Sequence, residues 1–320
     1  MPCKRLHIKM TSNSQQTCAS SYQKNSTMTS DALELRSEHA CFGGVQRFYR
    51  HASREIGLPM QFALYLPPQA LAGAQVPALL YLAGLTCTED TFATKAGAQR
   101  LAAALGLALI APDTSPRGAD VAGEADAWDF GVGAGFYLDA TQAPWATHWR
   151  MESYVLHELL PLLAATQPID GDRLGIFGHS MGGHGALTLA LRHPGRFQSL
   201  SAFAPIAAPS QCAWGRKAFS GYLGNDASAW QAHDASALMA AQAHVPYPGG
   251  ILIDQGLADN FLAQQQLQPE TFEAACAAVG QPLTLRRHAG YDHGYYFIQS
   301  FMADHLAHHA QQLGLARSAD

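Results

Sequence analysis

The stretch Gly178-His179-Ser180-Met181-Gly182-Gly183-His184-Gly185-Ala186-Leu187 sets one serine between two glycines, directly after the apolar run Leu174-Gly175-Ile176-Phe177. A sharp turn from strand into helix brings the two backbones into contact, so the residues two before and two after the turn must be small. On this reading Leu174–Phe177 is a short buried strand. Gly183–Arg192 is the helix that follows, ended by His193-Pro194-Gly195. Ser180 then sits at a helix start, where backbone N–H groups and the helix dipole favour negative charge. The plain alternative is a glycine-rich turn with an incidental serine; the strand before it and the helix after it decide for a nucleophile.

Working outward, from about Leu33 the pattern is strand, turn, strand, then strands alternating with helices. Met60–Leu66 alternates and stops at Pro67-Pro68. Ala78–Ala83 and Leu107–Ala111 are continuous apolar runs that stop at Gly84 and Pro112. Ser199–Ala204, Gly250–Asp254 and Leu283–Arg287 are further strand candidates. Thr94–Leu105, Tyr154–Leu163, Pro269–Val279 and Phe297–Leu313 carry helical spacing. Short apolar runs interleaved with helices predict an α/β fold, a mostly parallel central sheet with helices on both faces. No repeat and no Gly/Ser/Pro linker divides the chain after residue 30, so 31–320 reads as one domain. Residues 1–30 are polar and without hydrophobic periodicity, and read as a disordered extension with no part in the chemistry.

Composition narrows the function. Of 320 residues 48% are hydrophobic and 14% charged, enough for a large core. A net charge of −5 leaves no basic footprint, which argues against nucleic-acid binding. No apolar run is long enough to span a bilayer, so no membrane partner is expected. The six cysteines lack metal or disulfide spacing and read as free thiols of a reducing cytoplasm. His305, His308 and His309 cluster, but no acid or cysteine completes a metal motif, so they read as an exposed polar helix face. No metal and no cofactor is expected.

A serine hydroxyl needs a base, and the base needs an acid to orient it. In sheets of this kind the order along the chain is serine, acid, histidine. The acid belongs on the loop after Ile251–Asp254. Asp254 and Asp259 both qualify; Asp254 sits at the strand end, where it would bond loop backbone, and Asp259 lies far enough into the loop to reach an imidazole. Glu273, on a helix, is a poor third. The base belongs after the last strand, where His293, in the turn Tyr291-Asp292-His293-Gly294, is preferred to His288. His179 and His184 flank the serine and read as structural. Oxyanion donors are expected from the backbone of Met181 and, on the loop Gly84-Leu85-Thr86-Cys87, of Leu85. Cys87 would lie near the acyl pocket. The segment 128–137 reads as a loop shaping that pocket, with Trp128, Phe130, Phe136 and Tyr137 filling space to favour a small acyl group.

Taken together, Gly84-Leu85-Thr86-Cys87-Thr88, Trp128-Asp129-Phe130-Gly131-x-Gly133-Ala134-Gly135-Phe136-Tyr137, the serine motif, Trp214-Gly215-x-Lys217-Ala218-Phe219, Gly221-Tyr222-Leu223-Gly224 and Gly290-Tyr291-Asp292-His293-x-Tyr295-Tyr296 resemble the S-formylglutathione hydrolases, the esterase D family. The resemblance runs from about Glu38 to the closing helix. It implies the α/β-hydrolase fold, a triad of Ser180, Asp259 and His293, a glutathione thioester as substrate, and a cytoplasmic homodimer without cofactor. It adds Trp149 and Trp214 to the substrate region. The chain departs from the family pattern at Ile206-Ala207-Ala208-Pro209-Ser210, where Cys-Asn-Pro is frequent, and at Trp149, where tyrosine is common. Lys217 and Arg150 are the cations to set against the carboxylates of glutathione, though each also reads as a solvated surface charge.

Three functions compete. A thioesterase releasing formate and glutathione is the leading one. A general carboxylesterase or acyltransferase on small acyl esters shares the same fold and triad. A non-catalytic binding module on this scaffold would usually lack a triad member, and here all three positions are filled.

Overall fold

Residues 33–315 are those that the computed structural model describes. The extension expected over 1–30 lies outside the described residues. Three antiparallel strands open the fold: β1 (Glu34–Cys41), β2 (Gly44–Ala52) and β3 (Pro59–Leu66). There follow β4 (Val76–Leu82), β5 (Ala108–Pro112), β6 (Ile169–His179), β7 (Ser199–Phe203), β8 (Ile251–Gly256) and β9 (Leu283–His288). Their order in the sheet is β1-β2-β3-β5-β4-β6-β7-β8-β9. β3 meets β5 antiparallel, and every neighbouring pair from β5 to β9 is parallel.

Every residue of β4, β5, β7 and β8 is buried, on both alternating faces. That is why these strands read as continuous apolar runs rather than as alternating ones. β1, the free edge on one side, is largely exposed, and Arg47 pairs with Glu38 across to it at 2.7 Å. Charge on an edge strand discourages pairing with a second sheet. Among the described residues no helix is long and apolar enough to cross a membrane.

Two expectations need correction. The helix expected over Thr94–Leu105 is two helices, Glu89–Lys95 and Gln99–Leu105. Gly97 takes φ +67°, a conformation that ends a helix, and the Gln99 side chain folds back to donate to the Ala93 carbonyl at 2.5 Å. The second correction concerns the closing helix, Tyr295–Gln312. His305 and His309 do not form an exposed face; both are fully buried against β7. His305 Nδ1 and His309 Nε2 each lie 2.8 Å from Ser201 Oγ, and His309 Nδ1 lies 2.6 Å from Ser199 Oγ. His308 is half-buried beside them and hydrogen-bonds the Leu200 carbonyl. Residues i and i+4 of the helix meet residues i and i+2 of the strand, so two spacings that look polar in isolation satisfy each other in the core.

This burial has a pH consequence. His179, His184, His305 and His309 are all lowered by burial from the ordinary value of 6.5, His184 to about 4. Once the pH drops below 6.5 the unfolded chain takes up protons that the folded chain refuses, so stability falls with falling pH down to each folded value. Between about pH 7.5 and about pH 5.5 each of His179, His184 and His309 is expected to remove about 1 kcal/mol. Urea unfolding at the two pH values checks this. An unchanged midpoint would mean that the imidazoles are protonated in place.

Candidate active site

β6 ends at His179 and the helix Met181–Arg192 begins two residues later. Ser180 makes that turn alone, at φ 58° and ψ −118°, a backbone state that costs a non-glycine residue energy and is found where function over-determines it. The flanking glycines are steric necessities. A Cβ on Gly182 would stand 1.9 Å from the Leu82 carbonyl oxygen, and one on Gly178 would stand 2.2 Å from that of Gly182. The strained turn is tied down by the Ser180 N–H to the Phe203 carbonyl (3.0 Å) and by the Ile206 N–H to the Ser180 carbonyl (3.1 Å).

Because β4, β6, β8 and β9 run parallel, the loops leaving their C-terminal ends share one edge of the sheet, the usual place for a site in such folds. Asp259 leaves β8 and His293 follows β9. Nδ1 of His293 donates to Oδ2 of Asp259 at 2.5 Å. Asp259 is 2% exposed. Burial raises its carboxyl, but hydrogen bonds from His293, the Phe261 N–H (2.8 Å) and Gln255 (3.2 Å) outweigh this and bring it below the ordinary value. An ionised Asp259 fixes His293 with its proton on Nδ1 and leaves Nε2 as the basic nitrogen. The ring of His179 lies 4.3 Å from that of His293. Burial and the neighbouring His293 hold His179 well below the usual imidazole range, so it stays neutral.

The other candidates fall apart from this pair. Asp254 does not bond loop backbone as expected. It takes a two-pronged hydrogen bond from Arg286 (2.6 Å each) and lies 3.1 Å from His288 and 3.2 Å from His305. Thus His288, the second base candidate, is engaged with the second acid candidate. Glu273 pairs with Arg287 at 2.6 Å. His184 is buried in the helix and bonds the Phe136 carbonyl, against the loop rather than the serine.

The oxyanion candidates sit beside Ser180. A Cβ on Gly84 would stand 3.2 Å from the Ser180 Cβ, so the loop Gly84–Thr88 starts against Ser180. Among the described residues the N–H groups of Leu85 and Met181 have no hydrogen-bond partner. Cys87 is half-buried in the same loop, and burial pushes its thiol up, which makes it a poor nucleophile.

The pocket candidates divide into two groups. Trp128, 53% exposed, meets Trp214 edge-on at 5.4 Å. Trp214 meets Phe261 at 4.7 Å, and Phe261 stands perpendicular to the His293 ring at 4.8 Å. This aromatic series leads from the surface to the histidine. Phe130 and Trp149 lie in a separate cluster. Phe130 stacks on Tyr222 (4.5 Å); Trp149 is fully buried, packs on Trp145 and donates to the Gly131 carbonyl at 3.2 Å. Both therefore shape the 131–135 loop from behind. Tyr137 donates to the Ala83 carbonyl at 2.9 Å, buttressing the start of the Gly84 loop. Lys217 is paired with Asp129, and Arg150 with Glu55 at 3.0 Å. Phe261 and Gln255, which touch His293 and Asp259, were not identified from sequence. Each lies within four residues of the acid, and that proximity was the one signal available.

Comparison with known proteins agrees in direction. A family model described as "Putative esterase" matches residues 53–308. S-formylglutathione hydrolase of Mus musculus is 54% identical over 285 residues, 88% of this chain and 99% of that protein. The Paracoccus denitrificans enzyme of the same name is 55% identical over 283 residues, with the same coverage. A solved S-formylglutathione hydrolase from Agrobacterium tumefaciens superposes with a TM-score of 0.84 at 48% identity, covering 88% of this chain and 99% of that one.

Proposed function

The chain belongs to the S-formylglutathione hydrolase family of esterases, with the α/β-hydrolase fold, and from that premise we propose the steps by which it hydrolyses S-formylglutathione to formate and glutathione. Ser180 Oγ attacks the formyl carbon while His293 Nε2 takes its proton, and Asp259 holds the imidazolium that forms. The carbonyl oxygen becomes an oxyanion received by the N–H groups of Leu85 and Met181. The C–S bond then breaks. His293 returns the proton to the departing sulfur, so glutathione leaves as the thiol, the imidazole is again neutral, and a formyl ester remains on Ser180. Water, deprotonated by His293, attacks that ester; its C–O bond breaks, Ser180 regains the proton and formate leaves.

The observation that carries the assignment of roles is the 2.5 Å bond from His293 Nδ1 to a buried Asp259, on the same sheet edge as the strained Ser180. The aromatic series from Trp128 to Phe261 supports a site with an apolar wall on the histidine side. We place the thioester sulfur and the first atoms of its thiol along that wall, with Cys87 on the oxyanion side. Trp128 and Lys217 are the pocket residues open to a substrate, Trp214 is buried behind Trp128, and Phe130 and Trp149 lie further back. The protein acts as a cytoplasmic homodimer, a reading that light scattering of the purified chain tests.

Substrate choice is tested by comparing S-formylglutathione with p-nitrophenyl acetate. The formyl thioester is expected to turn over at least about a hundredfold faster in kcat/KM, although p-nitrophenolate is the better leaving group, because the formyl carbon is the least hindered and most electrophilic acyl carbon and the glutathione moiety adds binding. Equal or reversed rates would favour the general carboxylesterase.

A further inference from the structure

The Leu85 N–H can act as an oxyanion donor only if the loop Gly84–Thr88 holds still, and this loop has few internal bonds. Leu85 is half-buried and Thr86 exposed. Thr86 takes φ +68° and gives its N–H to the Gly133 carbonyl at 2.9 Å. The decisive anchor is the carbonyl of Cys87, two residues beyond Leu85. It accepts from Thr114 Oγ1 at 2.6 Å and from Arg117 Nη2 at 3.2 Å.

Arg117 is itself fixed. Its Nε and Nη2 grip the two oxygens of Asp113 at 2.6 and 2.9 Å. Asp113 directly follows β5, is 3% exposed, and also accepts the Thr114 N–H at 2.7 Å. Its own N–H is bound to the carbonyl of Gln61 in β3 at 3.0 Å. A rigid line therefore runs from the sheet through Asp113 and Arg117 to the Cys87 carbonyl. Among the described residues Arg117 hydrogen-bonds neither Ser180, Asp259 nor His293. A neutral hydroxyl, that of Thr114, already satisfies the carbonyl. An ion pair with one partner buried and the other about a third exposed adds little to stability once desolvation and screening are counted. A two-pronged guanidinium–carboxylate contact does add fixed orientation.

We propose that Arg117, aimed by Asp113, is a positioning residue that holds the Gly84–Thr88 loop so that the Leu85 N–H faces the developing oxyanion. The proposal rests on Leu85 serving as donor, as set out above. A donor displaced by a fraction of an ångström still binds substrate but stabilises the transition state less. The change should therefore appear in kcat and hardly in KM.

The test uses Arg117→Met and Arg117→Lys in the full chain. The measurements are kcat and KM for p-nitrophenyl acetate, the rate of fluorophosphonate labelling of Ser180, and the urea midpoint. Arg117→Met is expected to lower kcat and the labelling rate together by roughly tenfold to a hundredfold, with KM within about twofold. Arg117→Lys, which keeps charge but not the fork, should recover part of the loss. A folded Arg117→Met with unchanged kcat and labelling overturns the proposal, even if its urea midpoint falls. Should Arg117→Met fail to fold, Arg117→Gln, which removes the charge and the two-pronged grip on Asp113 but keeps a polar end, takes its place. A fall of about threefold or more in its kcat supports the proposal, and none overturns it. Acetate ester and fluorophosphonate require only the serine and its oxyanion donors. A wild type inactive on S-formylglutathione would thus sink the substrate assignment while this result still stood or fell on its own.

Discussion

Ser180→Ala is expected to lower kcat/KM for S-formylglutathione by about 10⁵-fold or more while leaving the protein folded. The loss is large because the residues of a triad act as a unit. Without Oγ, His293 and Asp259 can only activate water from the wrong position, and what remains is oxyanion stabilisation and binding. The fold should be indifferent. Among the described residues the Ser180 side chain makes no hydrogen bond, so its removal leaves no buried partner unsatisfied. Alanine adopts the turn at φ 58° with the same strain as serine, and the urea midpoint should move by no more than about 0.5 kcal/mol in stability. Turnover, fluorophosphonate labelling and urea unfolding measured on one preparation separate the two effects. Residual activity above about 1% with labelling elsewhere would mean another nucleophile, and Cys87 would be the first to examine.

The turn at Ser180 was legible in the sequence because its requirements leave a local pattern of small residues. Two glycines flank one serine since a Cβ at Gly178 would overlap the Gly182 carbonyl oxygen within the same turn, and one at Gly182 the Leu82 carbonyl oxygen of β4. The helix Pro269–Val279 was legible for the same reason, with proline at its start and Gly280 at φ +71° just past its end. What escaped the sequence was pairing between distant segments. His305 and His309 look like solvent-facing residues until β7, about a hundred positions earlier, supplies Ser199 and Ser201. The anchoring of the Cys87 carbonyl by Arg117 spans thirty residues with no motif to mark it. Gly97 lay inside a plausible helical spacing, and only its left-handed backbone turned one helix into two. Trp149 shows the limit of motif reading. It stands in a segment associated with the substrate, yet its ring is fully buried and bonded to the Gly131 carbonyl.

Asp254 and Asp259, which sequence alone could not fully separate, are expected to respond in opposite ways to the same substitution. In Asp259→Asn, two backbone donors, Phe261 N–H at 2.8 Å and Leu262 N–H at 3.4 Å, hold the amide oxygen at the Oδ1 position. The amide NH₂ then falls at Oδ2, facing His293 Nδ1. Nδ1 must accept instead of donate, so the proton moves to Nε2, and Nε2 can no longer take one from Ser180. Loss of kcat by about 10⁴-fold is expected, with substrate binding little changed. Asp254→Asn places its NH₂ against the donors of Arg286 and weakens the contacts to His288 and His305. Breaking this ion pair, one partner fully buried and the other about a third exposed, should cost about 2–4 kcal/mol in stability. Activity at low temperature should stay within about fivefold of wild type, since none of these groups touches His293 or Ser180. Turnover and urea unfolding of both variants decide the matter. If Asp254→Asn is the inactive one and Asp259→Asn the active one, the acid of the triad is Asp254, and the 2.5 Å bond to His293 serves only to hold the loop.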